Sequence, residues 1–380
     1  MSIPATILIG SLPPPLTGQT IAFQMVCEGF QERALPYKVI NLSGGKHTRP
    51  EGGFTLRRLI QLLNPFFRAL ILLFGQKILY LSAAQNWVGF LRDSIFILLA
   101  TIGRQRIVIH VHGGNYDGFY ASLSPLKQHV VRAFLKPVDT ILILGKSLRG
   151  MFDFEPALRD KTRVVFNGLP YDIEERSVEP KHLPSGERPK LLYLSNLIVS
   201  KGYLQVLEAL HILVHDLRTD AECHFCGSFV LASDISPYST PEEAETDFLH
   251  RIKKLGLGEH AFWHGPVDGD RKLRFLQKSH FFLLPTRYVY EGQPISIIEA
   301  LAFGLVVITT PYRTIPEMVE EGTVAELIPF DQPEEIARAI ESYIRNPDKF
   351  EAMSRASIDR YHKAFTREQH LNKLIPLILG

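Results

Sequence analysis

Cysteine is scarce in this 380-residue chain. Its three, Cys27, Cys223 and Cys226, are too few and too unevenly placed for a disulfide framework, which suits a reducing compartment. Cys223 and Cys226 form a C-x-x-C, but no second pair completes a zinc site, and Ala221 to Gly227 reads as a buried strand ending at a glycine. A structural role is expected for both, and no metal site. Long apolar runs are missing too. None reaches the roughly 18 residues a spanning helix needs, and Ile78 to Leu91, though uncharged, carries Ser, Gln and Asn. The first residues have no basic side chain before their short apolar run and break at Pro13, Pro14 and Pro15, which does not fit a secretory signal. Ile9 to Gly18 contains no G-x-G-x-x-G, so a nicotinamide dehydrogenase is excluded early. These absences give the expectation of a cytoplasmic protein that is not integral to a membrane.

What is present is ordinary for a globular protein: 46% hydrophobic and 22% charged residues, with 25 Pro and 27 Gly spread along the chain. The length exceeds the roughly 250 to 300 residues over which one core keeps growing, so two domains are expected. The net charge of +2 hides an asymmetry. Met1 to Pro170 holds 19 Lys plus Arg against 9 Asp plus Glu, and the remainder 23 against 31, so a half of +10 adjoins one of −8. Such a split suggests that the halves face different partners. Within the basic half, Phe54 to Phe74 sets Arg57, Arg58 and Arg68 in an apolar pattern that Pro65 is expected to kink or split. That pattern suits either a helix covering a sheet or a segment lying on an anionic membrane surface.

Strand-length apolar runs alternate with helical patterns: Thr6 to Gly10, Lys38 to Leu42, Ile78 to Leu81, Ile107 to His112 and Thr140 to Leu144, then Lys190 to Leu194, Glu222 to Cys226, Ala261 to His264, Phe281 to Leu284, Val306 to Thr309 and Ala325 to Ile328. Alternation of this kind predicts an α/β protein with parallel sheets covered on both faces, here two doubly wound, Rossmann-like domains. Phe166-Asn167-Gly168-Leu169-Pro170 supplies turn residues for a hinge. The expected division is residues 1–168, residues 169–362, and a C-terminal helix over 363–380 that packs back toward the first domain. Ligands of such sheets bind beyond the carboxyl ends of the strands, so the active site is expected in the cleft between the domains.

After the run ending at Leu284, a helix is predicted from about Pro294 to Phe303, with Glu291 in the loop before it and Glu299 on it. The backbone N–H groups of Gly292, Gln293 and Ile295 can serve a phosphate at its N-terminus. The two carboxylates can accept hydrogen bonds from sugar and ribose hydroxyls. The plainer alternative makes Glu299 a solvated helix residue and Glu291 a capping carboxylate. A second strand-loop-helix unit, Leu191 to Gly202, ends in Lys201 at a helix start, where it can neutralise a leaving diphosphate or simply be a surface lysine. In the first half His112, followed by Gly113 and Gly114, sits at the end of a strand, either at the cleft edge or as a buried structural histidine. Asp268-Gly269-Asp270 has the look of a metal-binding D-x-D. It falls between a strand and a helix near Arg271, where aspartates cap, and is assigned no metal.

Taken together, Glu291 and Glu299 in an E-x7-E arrangement, Val307 to Thr310, Ile315-Pro316-Glu317, Leu194 to Gly202, Phe225-Cys226-Gly227 and Phe262 to Gly265 resemble a family 4 glycosyltransferase of the GT-B fold. The resemblance covers nearly the whole chain and is strongest from Lys190 to Phe330. It implies retaining hexosyl transfer from a nucleotide sugar without a metal or other cofactor, and the basic half suggests a saccharide or lipid-linked acceptor and hence polysaccharide or glycolipid synthesis. A UDP-sugar is the donor that the resemblance favours, and no nucleic acid is implied. Glu291 and His112 would serve the donor sugar, Glu299 the ribose and Lys201 the diphosphate. Gly18 would lie in the loop passing close to the donor. Asn196 stands where the family usually has arginine. The basic half adds the expectation of peripheral attachment to the inner face of the cytoplasmic membrane. The competing readings are a sugar-nucleotide epimerase of similar architecture and a catalytically silent subunit of a glycan-assembly complex.

Overall fold

The chain is described by a computed structural model covering residues 4–14, 17–43, 64–171, 173, 178–183, 186–232 and 236–380. It divides into two compact units, Met1–Pro170 with Arg367–Gly380, and Tyr171–Thr366.

In the first unit the strands are β1 (Ala5–Gly10), β2 (Tyr37–Asn41), β3 (Lys77–Ser82), β4 (Arg106–His110), β5 (Thr140–Ile143) and β6 (Thr162–Val164), paired in the order β2-β1-β3-β4-β5-β6. Every pairing is parallel. Side chains of a strand alternate between its faces, and both faces here are buried, which is why the runs read as continuously apolar. Ile7, Leu79, Ile107 and Ile141 enter one core, whereas Leu8, Tyr80, Val108 and Leu142 enter the other.

That second core is closed by two helices from opposite ends of the sequence. Helix Gly18–Glu32 supplies Phe23, Val26 and Phe30, and helix Arg367–Leu379 supplies Leu371, Leu374 and Ile378. A Cβ on Gly29 would sit 2.6 Å from Leu371, so the two helices approach at a residue without a side chain. Arg367 clamps the join with a bidentate pair to Glu32, both contacts 2.7 Å.

The second unit holds β7 (Lys190–Leu194), β8 (Glu222–Cys226), β9 (Ala261–Trp263), β10 (Phe281–Leu284), β11 (Val306–Thr309) and β12 (Ala325–Leu327), in the order β12-β11-β10-β7-β8-β9 and again all parallel. Cys223 and Cys226 lie buried on β8, just before Gly227. Burial raises the Cys226 thiol to about 12 and holds Cys223 well above its ordinary value, so neither supplies a thiolate at neutral pH.

The structure departs from the sequence reading in several places. Strand β6 was not anticipated, because three residues of mixed polarity carry no periodic signal. β4 stops at His110, leaving Val111 and His112 in the following loop. Residues 54–63 of the apolar, arginine-bearing segment lie outside the described residues, and 64–69 are helical. Among the described residues no helix is long and apolar enough to cross a membrane.

Candidate functional site

In the second sheet the chain runs from β7 outward to β8 and β9, then returns to the other side of β7 for β10, β11 and β12. The loops after β7 and β10 therefore diverge at a topological switch point, the place where open parallel sheets bind ligands. Asn196 and Lys201 follow β7, and Glu291 to Ile295 follow β10.

The loops are stitched together by backbone and threonine contacts. Arg287 N–H donates to the Ser200 carbonyl at 2.7 Å. Thr310 Oγ1 donates to Thr286 O, and Thr314 Oγ1 to Gly292 O, each at 2.5 Å and buried. Gly202 has φ +82°, and a Cβ there would lie 2.1 Å from the Pro285 carbonyl oxygen. Only glycine permits that backbone approach between the β7 and β10 loops.

Lys201 lies on a short 3₁₀ turn, Val199–Lys201, ahead of helix Tyr203–His211 rather than on the helix itself. From there its Nζ reaches Ser195 Oγ at 3.2 Å, stands 3.1 Å from Glu291 Oε2, and sits 5.1 Å from the centre of the Tyr288 ring. The contact to Glu291 is an ion pair without hydrogen-bond geometry, so that carboxylate oxygen keeps unused accepting capacity although Glu291 is buried.

Helix Ile295–Ala302 begins one residue later than predicted. Pro294 is its N-cap, with ψ 111°, so the first helical N–H is that of Ile295. Gly292 and Gln293 lie in the preceding turn, with the Gln293 side chain buried. Glu299 is not the solvated helix residue of the plainer reading, being 4% exposed. Its Oε1 accepts from Lys272 Nζ at 2.5 Å and from Tyr171 Oη at 2.9 Å, which satisfies the buried charge. Nor does Asp268 cap as expected: it occupies the N-cap of helix Gly269–Lys278 without a side-chain cap bond. Among the described residues no group of three or more metal-binding side chains occurs.

Three side chains here escaped the sequence reading: Lys272, Tyr171 and Arg313. Arg313, in the loop after β11, holds φ +49°, a left-handed conformation unusual outside glycine. Its guanidinium contacts Tyr312, at 3.3 Å from the hydroxyl, and no carboxylate among the described residues pairs with it. Asn196, by contrast, is exposed, and its carbonyl accepts from Tyr193 Oη at 3.2 Å.

The first unit carries the other two predicted residues. Gly18 is the first residue of helix Gly18–Glu32, behind a capping box in which Thr17 and Thr20 exchange hydrogen bonds. Its neighbour Gln19 donates to Ser82 Oγ at the end of β3, at 3.0 Å. His112 is two residues past β4. Its ring centre lies 4.0 Å from that of His110, which in turn bonds Tyr80 Oη through Nδ1 at 2.8 Å. Burial, with the added repulsion of His370, lowers His112 to about 3. The ring is neutral at physiological pH, and its buried Nε2 has no partner.

Residues 174–360, just under half of the chain, match the family model described as glycosyl transferases group 1. An uncharacterized glycosyltransferase of Methanocaldococcus jannaschii is 24% identical over 263 residues, 66% of this chain and 62% of that protein. D-rhamnosyltransferase WbpZ of Pseudomonas aeruginosa is 25% identical over 248 residues, 64% and 60% of the two chains. The match thus spans about three fifths of the length of these relatives. Among solved structures, Anabaena HepE, crystallised with UDP, superposes with a TM-score of 0.72 at 14% identity, covering 98% of both chains. The chain has the GT-B fold, two parallel six-stranded sheets with flanking helices, and its residues 174–360 match the model of the group 1 glycosyl transferases.

Proposed function

We propose that the protein is a retaining hexosyltransferase of family 4 type that uses a nucleotide sugar, most simply a UDP-sugar, and passes the sugar to a saccharide or lipid-linked acceptor. The observation that carries this reading is the pairing of each glutamate of the E-x7-E arrangement with its own lysine, Glu291 with Lys201 and Glu299 with Lys272, at the switch point of the second sheet. HepE was also solved with UDP-glucose, which favours uridine as the base.

In this reading Lys201 exchanges Glu291 for the donor diphosphate, and the freed carboxylate accepts hydroxyl hydrogens of the sugar. The N–H groups of Gly292, Gln293 and Ile295 add to the anion site at the start of helix Ile295–Ala302. Glu299, fixed by Lys272 and Tyr171, receives the ribose hydroxyls. His112, neutral and with Nε2 unpartnered, hydrogen-bonds the sugar, and Gly18 lets the backbone pass close to it. Arg313 supplies the diphosphate charge that Asn196 cannot. The bond from the anomeric carbon to the diphosphate oxygen breaks, the acceptor oxygen bonds to that carbon on the same face, and the acceptor proton leaves with the diphosphate. No step requires a metal.

The test is to incubate the protein with donor and acceptor in chelator and assign the anomeric configuration of the product by NMR. The donor's configuration is the expected result. Inversion, or an absolute requirement for a divalent cation, contradicts the mechanism. Return of an epimerised nucleotide sugar without acceptor identifies the epimerase instead.

A further inference from the structure

Helix Trp87–Ile102, in the first unit, buries Phe90, Phe96 and Ile97 against its sheet. Its outer side is apolar as well. Val88, Leu91, Ile95, Leu98 and Ile102 are all exposed, Val88 by 77%, and their spacings of 3, 4, 3 and 4 put them on one stripe. The surface continues beyond the helix. Phe66 stacks on Phe96 with ring centres 5.3 Å apart, and Gln105 donates to Leu72 O at 2.9 Å, which fixes residues 66–73 beside the helix. Phe67 and Leu70 project outward from that segment, as does Phe74 just after it, Phe74 by 70%. Water-exposed apolar surface of this extent marks an interaction site.

The charges around it are mostly of one sign. From Asn64 to Lys127 the sequence holds six Lys plus Arg and two carboxylates, Asp93 and the exposed Asp117. Asp93 is 3% exposed and is held by Arg92 at 2.7 Å. Exposed Arg68, Arg104 and Lys127 remain. Arg104 follows the helix end beside Ile102, and Lys127 sits 4.8 Å from the Trp87 ring at the other end.

We infer that this face docks on an anionic lipid bilayer, with the stripe and the exposed phenylalanines entering the interface and the cations meeting lipid phosphates. A heptad-like stripe could also receive a second copy of the helix, but that would bring two cationic rims together, whereas anionic lipid neutralises them. The sequence leaves Phe54 to Phe74 as either a helix covering the sheet or a segment on a membrane surface. The described part of that segment forms one flank of the surface, and the following helix forms its centre. The inference does not rest on the transfer chemistry.

Co-sedimentation of the full chain with vesicles of phosphatidylcholine and phosphatidylglycerol, against phosphatidylcholine alone, tests it. Binding is expected to the anionic vesicles and to weaken with salt. Ile95→Glu with Leu98→Glu should cut vesicle affinity about tenfold or more, since each change removes an exposed aliphatic side chain that the bilayer would bury. Thermal stability and nucleotide-sugar binding should stay at wild-type levels, which separates a failure here from a failure of the proposed activity. Lys127→Glu should weaken binding to anionic vesicles only. Wild-type protein that sediments with neither vesicle overturns the inference, as does undiminished binding by the double variant. A dimer by light scattering that the double variant dissolves assigns the stripe to a second copy.

Discussion

Lys201 and Glu291 follow different strands, β7 and β10, yet Lys201 Nζ stands 3.1 Å from Glu291 Oε2 in an environment that leaves both side chains mostly buried. The pair sets a cation beside a carboxylate oxygen that keeps unused accepting capacity. Removing either partner should therefore act on binding and on stability together.

Lys201→Ala is expected to lower kcat/KM by about 10² or more, because it removes charge aimed at the leaving group. It should also destabilise the protein by about 3 kcal/mol, since Glu291 is left as an uncompensated buried carboxylate. Lys201→Ala with Glu291→Gln should recover most of the stability and none of the activity. Denaturant titration beside kinetics checks both halves.

Lys272→Met should act differently. It leaves Tyr171 as the remaining partner of Glu299, so donor affinity should fall while the sugar-transfer step is spared. A rise in KM of about tenfold with kcat nearly unchanged is the expected outcome. A loss confined to kcat would contradict the ribose role.

Arg313→Gly separates stability from function in the opposite sense. Glycine adopts the left-handed conformation without strain, so the variant should be more stable by about 1 kcal/mol. Diphosphate binding should nevertheless weaken about tenfold if the guanidinium replaces the missing charge at Asn196. Calorimetric titration with UDP beside a melting curve reads both.

Histidines set the acid limit. Burial holds His112 near 3 and His370 near 4, and His110 well below its ordinary value of 6.5. Each binds its proton more readily unfolded than folded, so stability is complete above about pH 6.5 and lost as pH falls toward 4. By about pH 5 the fully buried His370 should have removed roughly 2 kcal/mol, and His110 adds to the loss in the same direction. Between pH 7 and 8 neither stability nor rate should respond to His112, and an activity step near 6.5 that vanished in His112→Gln would contradict its neutral state.

The parallel sheets and their strand order of appearance were legible because both faces of each strand are buried, which leaves uninterrupted apolar runs between helical patterns. The switch point was not, since alternation does not say on which side of β7 the strand β10 returns. Glu291, Glu299 and Lys201 announced themselves through spacing and resemblance. Lys272 and Tyr171 did not: each is one of many such residues, distant in sequence from Glu299, and only folding brings them to it. Arg313 was hidden because a left-handed backbone has no signature in a non-glycine residue. The stripe from Val88 to Ile102 was hidden for another reason. That helix is apolar on its outer side as well as its inner one, so its sequence reads as buried, and only the position of the sheet shows which side faces water.

The most direct test of the central claim is binding and slow hydrolysis of UDP-, GDP- and ADP-sugars by the purified protein in the presence of a metal chelator. The account predicts that one nucleotide sugar, of the uridine series, stabilises the protein and is slowly cleaved, and that Lys201→Ala abolishes both effects. Failure of every nucleotide sugar to bind the folded protein would contradict it and leave a GT-B chain that assembles with others rather than transferring sugar.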